Sequence, residues 1–129
     1  MILVTGATGT IGRPLIDLLV GDDAEVLAVT RNPQTAGLPA DVEVVVGDPS
    51  RPETIAPFLE GVTAPFLHPR AVGEAAAGEL LALAQEQGVK RVVVLLAINV
   101  DDDLAEQPSR YNGDSNKEIE DAAVGSSLE

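Results

Sequence analysis

The chain has 129 residues, 45% of them apolar and only 2% aromatic, which is one domain's worth of sequence with a core of Val, Leu and Ala. Twenty-one acidic residues against eight basic ones give a net charge of −13, a surface that repels phosphate backbones, so nucleic-acid partners are not expected. With no Cys and a single histidine, His68, disulfides, thiolate metal sites, Cys nucleophiles and multi-histidine metal centres within one chain are excluded.

Ile2–Thr5 is short, β-rich and suited to a buried first strand. Ile11, Leu15, Leu18 and Leu19 then repeat at i, i+4, i+7 and i+8 and predict one apolar helix face, with Pro14 tolerated in the first turn and Gly21 as the stop. Glu25–Thr30 and Asp41–Val46 read as the second and third strands. Ser50-x-x-Glu53 reads as a capping box that opens a short helix bearing Ile55, Phe58 and Leu59, with Pro57 shortening it. Val62–Leu67 is a weaker fourth strand, since Pro65 counts against a central position. Ala71–Gln87 is helical, with Val72, Ala76, Leu80, Leu83 and Ala84 on one face and Gly88 closing it. Val89–Val100 is the fifth strand and the most apolar segment, and Asn116–Val124 is a last helix with Ile119 and Ala123 inward. The stretches Arg31–Ala40 and Asp101–Asp114 are loops within one domain spanning residues 1–129.

Near-continuous apolar strands alternating with helices predict an α/β fold, a doubly wound parallel sheet of about five strands with helices on both faces. No apolar run reaches the roughly 18 residues of a membrane span. The N-terminus has no basic region and no cleavage site, so the expectation is a cytoplasmic protein without membrane partners.

The strongest motif is Gly6-Ala7-Thr8-Gly9-Thr10-Ile11-Gly12, which follows a predicted strand and opens a predicted helix. Gly6 permits the tight turn, Gly9 lets a pyrophosphate approach the backbone, and Gly12 lets the helix pack close to the sheet. The helix's first turn offers free N–H groups and a positive dipole end, and the Thr8 and Thr10 hydroxyls can add donors. The candidate cofactor-binding residues are therefore Gly6, Thr8, Gly9, Thr10, Ile11 and Gly12, with Leu67 at the end of the fourth strand.

Two further positions refine the reading. The second strand ends in Thr30-Arg31, with no acidic residue to favour the ribose of NAD. Arg31 is either the partner of a 2′-phosphate, which points to NADP(H) over NAD(H), or a solvated cation leaving a strand. Asp48, ending Gly47-Asp48, either accepts from an adenine amino group or starts a turn before Pro49.

Met1–Gly12, Thr30-Arg31-Asn32-Pro33, Gly47-Asp48 and Lys117-x-x-x-Asp121 together resemble the NmrA-like, atypical short-chain dehydrogenase/reductase family over essentially the whole chain. The resemblance implies a Rossmann-like fold binding NADP or NAD. Members include quinone and other NADPH-dependent reductases and also redox-sensing regulators without turnover. Members usually run about twice this length, into a sixth strand and a substrate-binding portion, so the chain resembles the cofactor-binding part of a larger architecture. A missing sixth strand would leave the fifth strand's edge open or covered by a partner, for instance a second copy. The Ser-Tyr-Lys signature of the wider superfamily is absent. Tyr111 and Lys117 lie six apart rather than four, and Leu95-Leu96-Ala97-Ile98 holds no Ser.

No catalytic residue is assigned. His68, after the fourth strand, is either a proton donor beside a nicotinamide or, more simply, a loop histidine. Lys117 either approaches the site or, as favoured, pairs with Asp121. Asp101-Asp102-Asp103 reads as a solvated loop rather than a cation site, so no metal is expected. The leading reading is an NADP(H)-binding oxidoreductase domain passing hydride to a small carbonyl or quinone; the alternative is a cofactor-sensing interaction protein.

Overall fold

The computed structural model describes residues 1–96, 103, 105 and 116–129. Its centre is a five-stranded sheet built from β1 (Ile2–Val4), β2 (Val26–Thr30), β3 (Glu43–Val46), β4 (Ala64–Leu67) and β5 (Val93–Val94), in the order β3-β2-β1-β4-β5. Every neighbouring pair is parallel, as continuous apolar runs require when both faces are to be covered. Alternation along the strands divides the core. Val4, Val26, Ala28 and Phe66 face α1 (Gly12–Gly21), where Ile16 is fully buried. Leu3, Leu27, Val29 and Leu67 face the other way, towards Val72 of α2 (Pro69–Val72), Ala76 and Leu80 of α3 (Glu74–Glu86) and Ile119 of α4 (Asn116–Gly125). Each fully buried Leu, Ile or Val contributes about 1.5–3 kcal/mol over an exposed one.

The predicted architecture holds, and several local expectations do not. The inward face of α1 is centred on Gly12 and Ile16; Leu15 and Leu19 of the expected stripe pack against it, whereas Ile11 and Leu18, 45% and 70% exposed, turn outward. Gly12 packs directly on the Gly6 and Ala7 backbone, a contact that hydropathy alone does not see. α1 does end at Gly21 as expected, although the left-handed residue that follows is Asp23 (φ 58°). No capping box forms at Ser50-x-x-Glu53. Ser50 instead bonds Asp48, Glu53 pairs with Arg51, and two 3-10 turns, Pro52–Thr54 and Ala56–Phe58, stand in for the short helix. The long helix predicted over Ala71–Gln87 is broken at Gly73, whose φ of 77° separates α2 from α3.

Pro65 lies in a central strand after all. The Phe66 carbonyl accepts from Thr5 N–H on the β1 side, and the Leu67 carbonyl accepts from Leu95 N–H on the β5 side. By alternation the missing N–H of Pro65 faces β5, whose pairing starts one residue later at Phe66↔Val93. No ladder bond is lost.

β5 is two residues long where twelve were predicted, and residues 97–100 of that prediction lie outside the described residues. Its outer side is not bare. Glu129 N–H donates to the Lys90 carbonyl at 2.7 Å, and the Glu129 carbonyl accepts from Val92 N–H at 2.9 Å, a parallel bridge beside the start of β5. Among the described residues, no helix is long and apolar enough to cross a membrane.

Candidate functional site

The chain runs outward through β1, β2 and β3 and then returns to place β4 against the other side of β1. The carboxyl ends of β1 and β4 therefore form the point where strand order reverses, the customary ligand crevice of open α/β sheets. Thr5, completely buried, secures this junction. Its hydroxyl donates to the Phe66 carbonyl at 2.9 Å and accepts from His68 N–H at 2.9 Å.

The Gly6–Gly12 loop leaves β1 at this point. Gly6 adopts φ 64°, and a Cβ there would lie 3.1 Å from the His68 Cβ. A Cβ on Gly12 would fall 2.1 Å from the Gly6 carbonyl oxygen and 2.9 Å from the Ala7 Cα, both unyielding backbone. At Gly9 the nearest atom would be the Gly6 oxygen at 3.3 Å, so Gly9 is needed less for packing than for keeping the outer surface of the loop bare. Among the described residues, no backbone acceptor takes the N–H of Thr10, Ile11 or Gly12, the donors at the start of the ten-residue α1.

Gly6 and Thr8 form one wall of a cavity of about 210 Å³, with Thr30, Arg31, Gly47 and Asp48 opposite. The structure thus brings the first residues of the glycine loop, Arg31 and Asp48 to one opening. Asp48 is held by its neighbours. Its Oδ1 accepts from the Ser50 hydroxyl at 2.6 Å and from Ser50 N–H at 3.0 Å. The Ser50 hydroxyl bond is the main reason its carboxyl sits below the ordinary carboxylate range. The Ser50 N–H, Arg31 and Arg51 push the same way, and burial opposes them. Thr54 braces the turn, accepting from Asp48 N–H at 2.8 Å and donating to carbonyls of Asp48 and Arg51.

Other candidates sit elsewhere. Leu67 is fully buried in the core, because its position in β4 turns its side chain to the α3 face; its side chain does not line the cavity. Ile11 and Thr10 are exposed at the start of α1. His68 is half-buried against Gly6 and caps α2, its Nδ1 accepting from Arg70 N–H at 3.3 Å. Lys117 pairs with Glu120 at 2.9 Å and Asp121 at 3.4 Å on α4 and is not part of the cavity wall. Tyr111, Asp101 and Asp102 lie outside the described residues. The sequence reading passed over two arginines. Arg70 lines the cavity together with Arg31, and only its place after a strand end hinted at this. Arg13 bonds the carbonyls of Thr8, Ala36 and Gly37, contacts that no local pattern announces.

A glycine-lined loop at the end of β1, unpaired N–H donors and a cation at the end of β2 make a fold and site suited to a dinucleotide. The profile of an NAD(P)H-binding family matches residues 6–124. The chain belongs to this family, in keeping with the NmrA-like resemblance of its motifs. It is 32% identical over 130 residues to an NAD(P)H azoreductase of Xenophilus azovorans, covering 96% of this chain and 45% of that protein. In fold it is similar to an NADPH-dependent quinone oxidoreductase of Escherichia coli, with a TM-score of 0.79 and 23% identity over 99% of this chain and 44% of the other. It is also similar to the triphenylmethane reductase of Citrobacter sp. complexed with NADP(H), with a TM-score of 0.76 and 23% identity over 98% of this chain and 46% of the other. The chain spans less than half the length of each of these proteins.

Proposed function

We propose that residues 1–129 form a single cofactor-binding domain that prefers NADP(H) over NAD(H) and serves an oxidoreductase acting on a small carbonyl or quinone. The observation that carries this reading is the opening shared by Gly6, Ala7 and Thr8 of the glycine loop with Arg31 and Asp48. The N–H groups at the start of α1 would hold the pyrophosphate, with the helix dipole adding attraction. Thr8 would add a hydroxyl. Arg31 would face a ribose 2′-phosphate, and the Asp48 carboxylate, kept ionised by Ser50, would accept from the adenine amino group. Bound in this way, the cofactor supplies a hydride donor or acceptor. The names of the azoreductase and the quinone oxidoreductase support the reductase class.

The second reading, a domain that senses the cofactor without turnover, is favoured by one feature. The segment Leu95-Leu96-Ala97-Ile98, which follows β5 in the sequence, offers no Ser, and Tyr111 stands six residues from Lys117, so the usual proton-donor set cannot assemble from these positions. Calorimetric titration with NADPH and NADH tests cofactor binding and preference, and a screen of quinones with bound NADPH separates the two readings. Tighter NADPH binding with quinone-dependent oxidation is the expected result. Binding without oxidation selects the sensing reading, and equal affinities remove Arg31 from the specificity argument.

A further inference from the structure

We infer that Arg13 is a positioning residue for cofactor discrimination, a strut that fixes the loop carrying Arg31 to the phosphate loop. This inference rests on the dinucleotide reading above. The guanidinium of Arg13, projecting from the first turn of α1, spends three donors on three backbone carbonyls. Nε donates to Thr8 at 3.1 Å, Nη1 to Gly37 at 3.1 Å, and Nη2 to Ala36. Thr8 belongs to the phosphate loop and lines the cavity. Ala36 and Gly37 belong to the loop between β2 and β3 that begins with Arg31. One side chain therefore ties together the two walls between which the ligand would sit.

The receiving loop is shaped for this contact. Ala36 is 2% exposed and plugs the loop into the body of the protein. Gly37 takes φ 59°, a conformation L side chains rarely adopt, and with it presents its carbonyl to Arg13. Among the described residues, no carboxylate forms an ion pair with Arg13, so the full charge is spent on peptide dipoles. Bonds from a charged donor are about twice as strong as neutral ones, and the rigid fork of Arg can reach three acceptors where Lys cannot. Arg31 itself is exposed, so its aim depends on how firmly the loop behind it is held.

The test compares wild type with Arg13→Met and Arg13→Lys by two readouts, calorimetric NADPH and NADH affinities and amide hydrogen exchange of the cofactor-free chain. Both variants should exchange faster over residues 31–38 while the strand amides stay protected. Both should also lose about tenfold in the ratio of NADPH to NADH affinity, the scale of one charge-assisted hydrogen bond. Unchanged exchange in Arg13→Met overturns the strut, as does an unchanged affinity ratio. A wild-type ratio in Arg13→Lys alongside a reduced one in Arg13→Met also overturns it, because charge and not the three-way contact would then be at work. Wild-type chain that binds neither cofactor overturns the dinucleotide reading and this inference together, whereas wild-type binding with an indifferent Arg13→Met overturns this inference alone.

Discussion

The two walls of the cavity are built from different materials. The phosphate-loop wall is backbone. Gly6 and Gly12 touch so closely that a Cβ on Gly12 has no room, and just beyond Thr8 follow the N–H donors at the start of α1. The opposite wall is made of side chains. Arg31 stands exposed, and Asp48 owes its pose to Ser50 and Thr54. A backbone wall is intolerant of substitution, because a mutation there disturbs the fold. A side-chain wall can be rewritten one residue at a time, and this is where a preference between two cofactors differing by one phosphate would reside.

That contrast can be broken most forcefully at Gly12. Gly12→Ala should cost about 3 kcal/mol in urea or thermal unfolding, since the new methyl meets the Gly6 and Ala7 backbone. A stability near wild type would show that α1 can slide away from the loop and that the wall is softer than its contacts imply. Gly9→Val should behave oppositely, keeping helix content near wild type by circular dichroism while weakening NADPH by about a hundredfold or more, which is near 3 kcal/mol. Wild-type affinity in that variant would remove the loop from the site.

On the other wall, Arg31→Asp should leave unfolding unchanged and lower the ratio of NADPH to NADH affinity by about tenfold or more. Because Arg31 is exposed, the effect should shrink as salt is added. A smaller effect is expected where the walls join. Thr5→Val removes a buried hydroxyl and leaves His68 N–H without its acceptor, for a loss of about 1–2 kcal/mol. Chemical denaturation measures this directly.

The smallest effect concerns pH. Asp48 has its pKa lowered on folding, chiefly by the Ser50 hydroxyl, so it binds protons less readily folded than unfolded. Its stabilising contribution is therefore present above the unfolded-state value near 3.8 and is lost as pH falls through the lower folded-state value. Asp48→Asn should flatten the acid limb of the stability curve, with its small cost seen in full at neutral pH and gone once pH has fallen below the folded-state value. An acid limb identical to wild type would mean that the Ser50 bonds do not favour the ionised form.

Much of this was legible in the chain itself because the signals were local. The glycine spacing between a β-rich run and an amphipathic run points to a strand, loop and helix wherever it occurs. The positions of Arg31 and Asp48 at strand ends place them on one edge of any parallel sheet. The misreadings came from contacts between distant segments. Ile11 and Leu18 were read as inward with Leu15 and Leu19, whereas Gly12, packed on the Gly6 and Ala7 backbone, and Ile16 hold the centre of that face. Pro65 was read as an edge signal, whereas alternation turns its missing donor towards the end where β5 has yet to begin. Ser50 was read as a helix cap, and the half-buried carboxylate two residues before it claims the hydroxyl instead.

The sequence by itself determined the alternation of strands and helices, the parallel sheet and the loop that opens α1, because period and glycine spacing are properties of neighbouring residues. Only the tertiary structure decided that Thr5 joins β1 to β4, that Arg70 shares the cavity with Arg31, and that Arg13 spans both walls. The partners of Thr5 lie more than 60 positions away, and one guanidinium of Arg13 reaches 5 residues back and 24 ahead. Such contacts form only when the sheet has set its order, and no pattern along the chain encodes them.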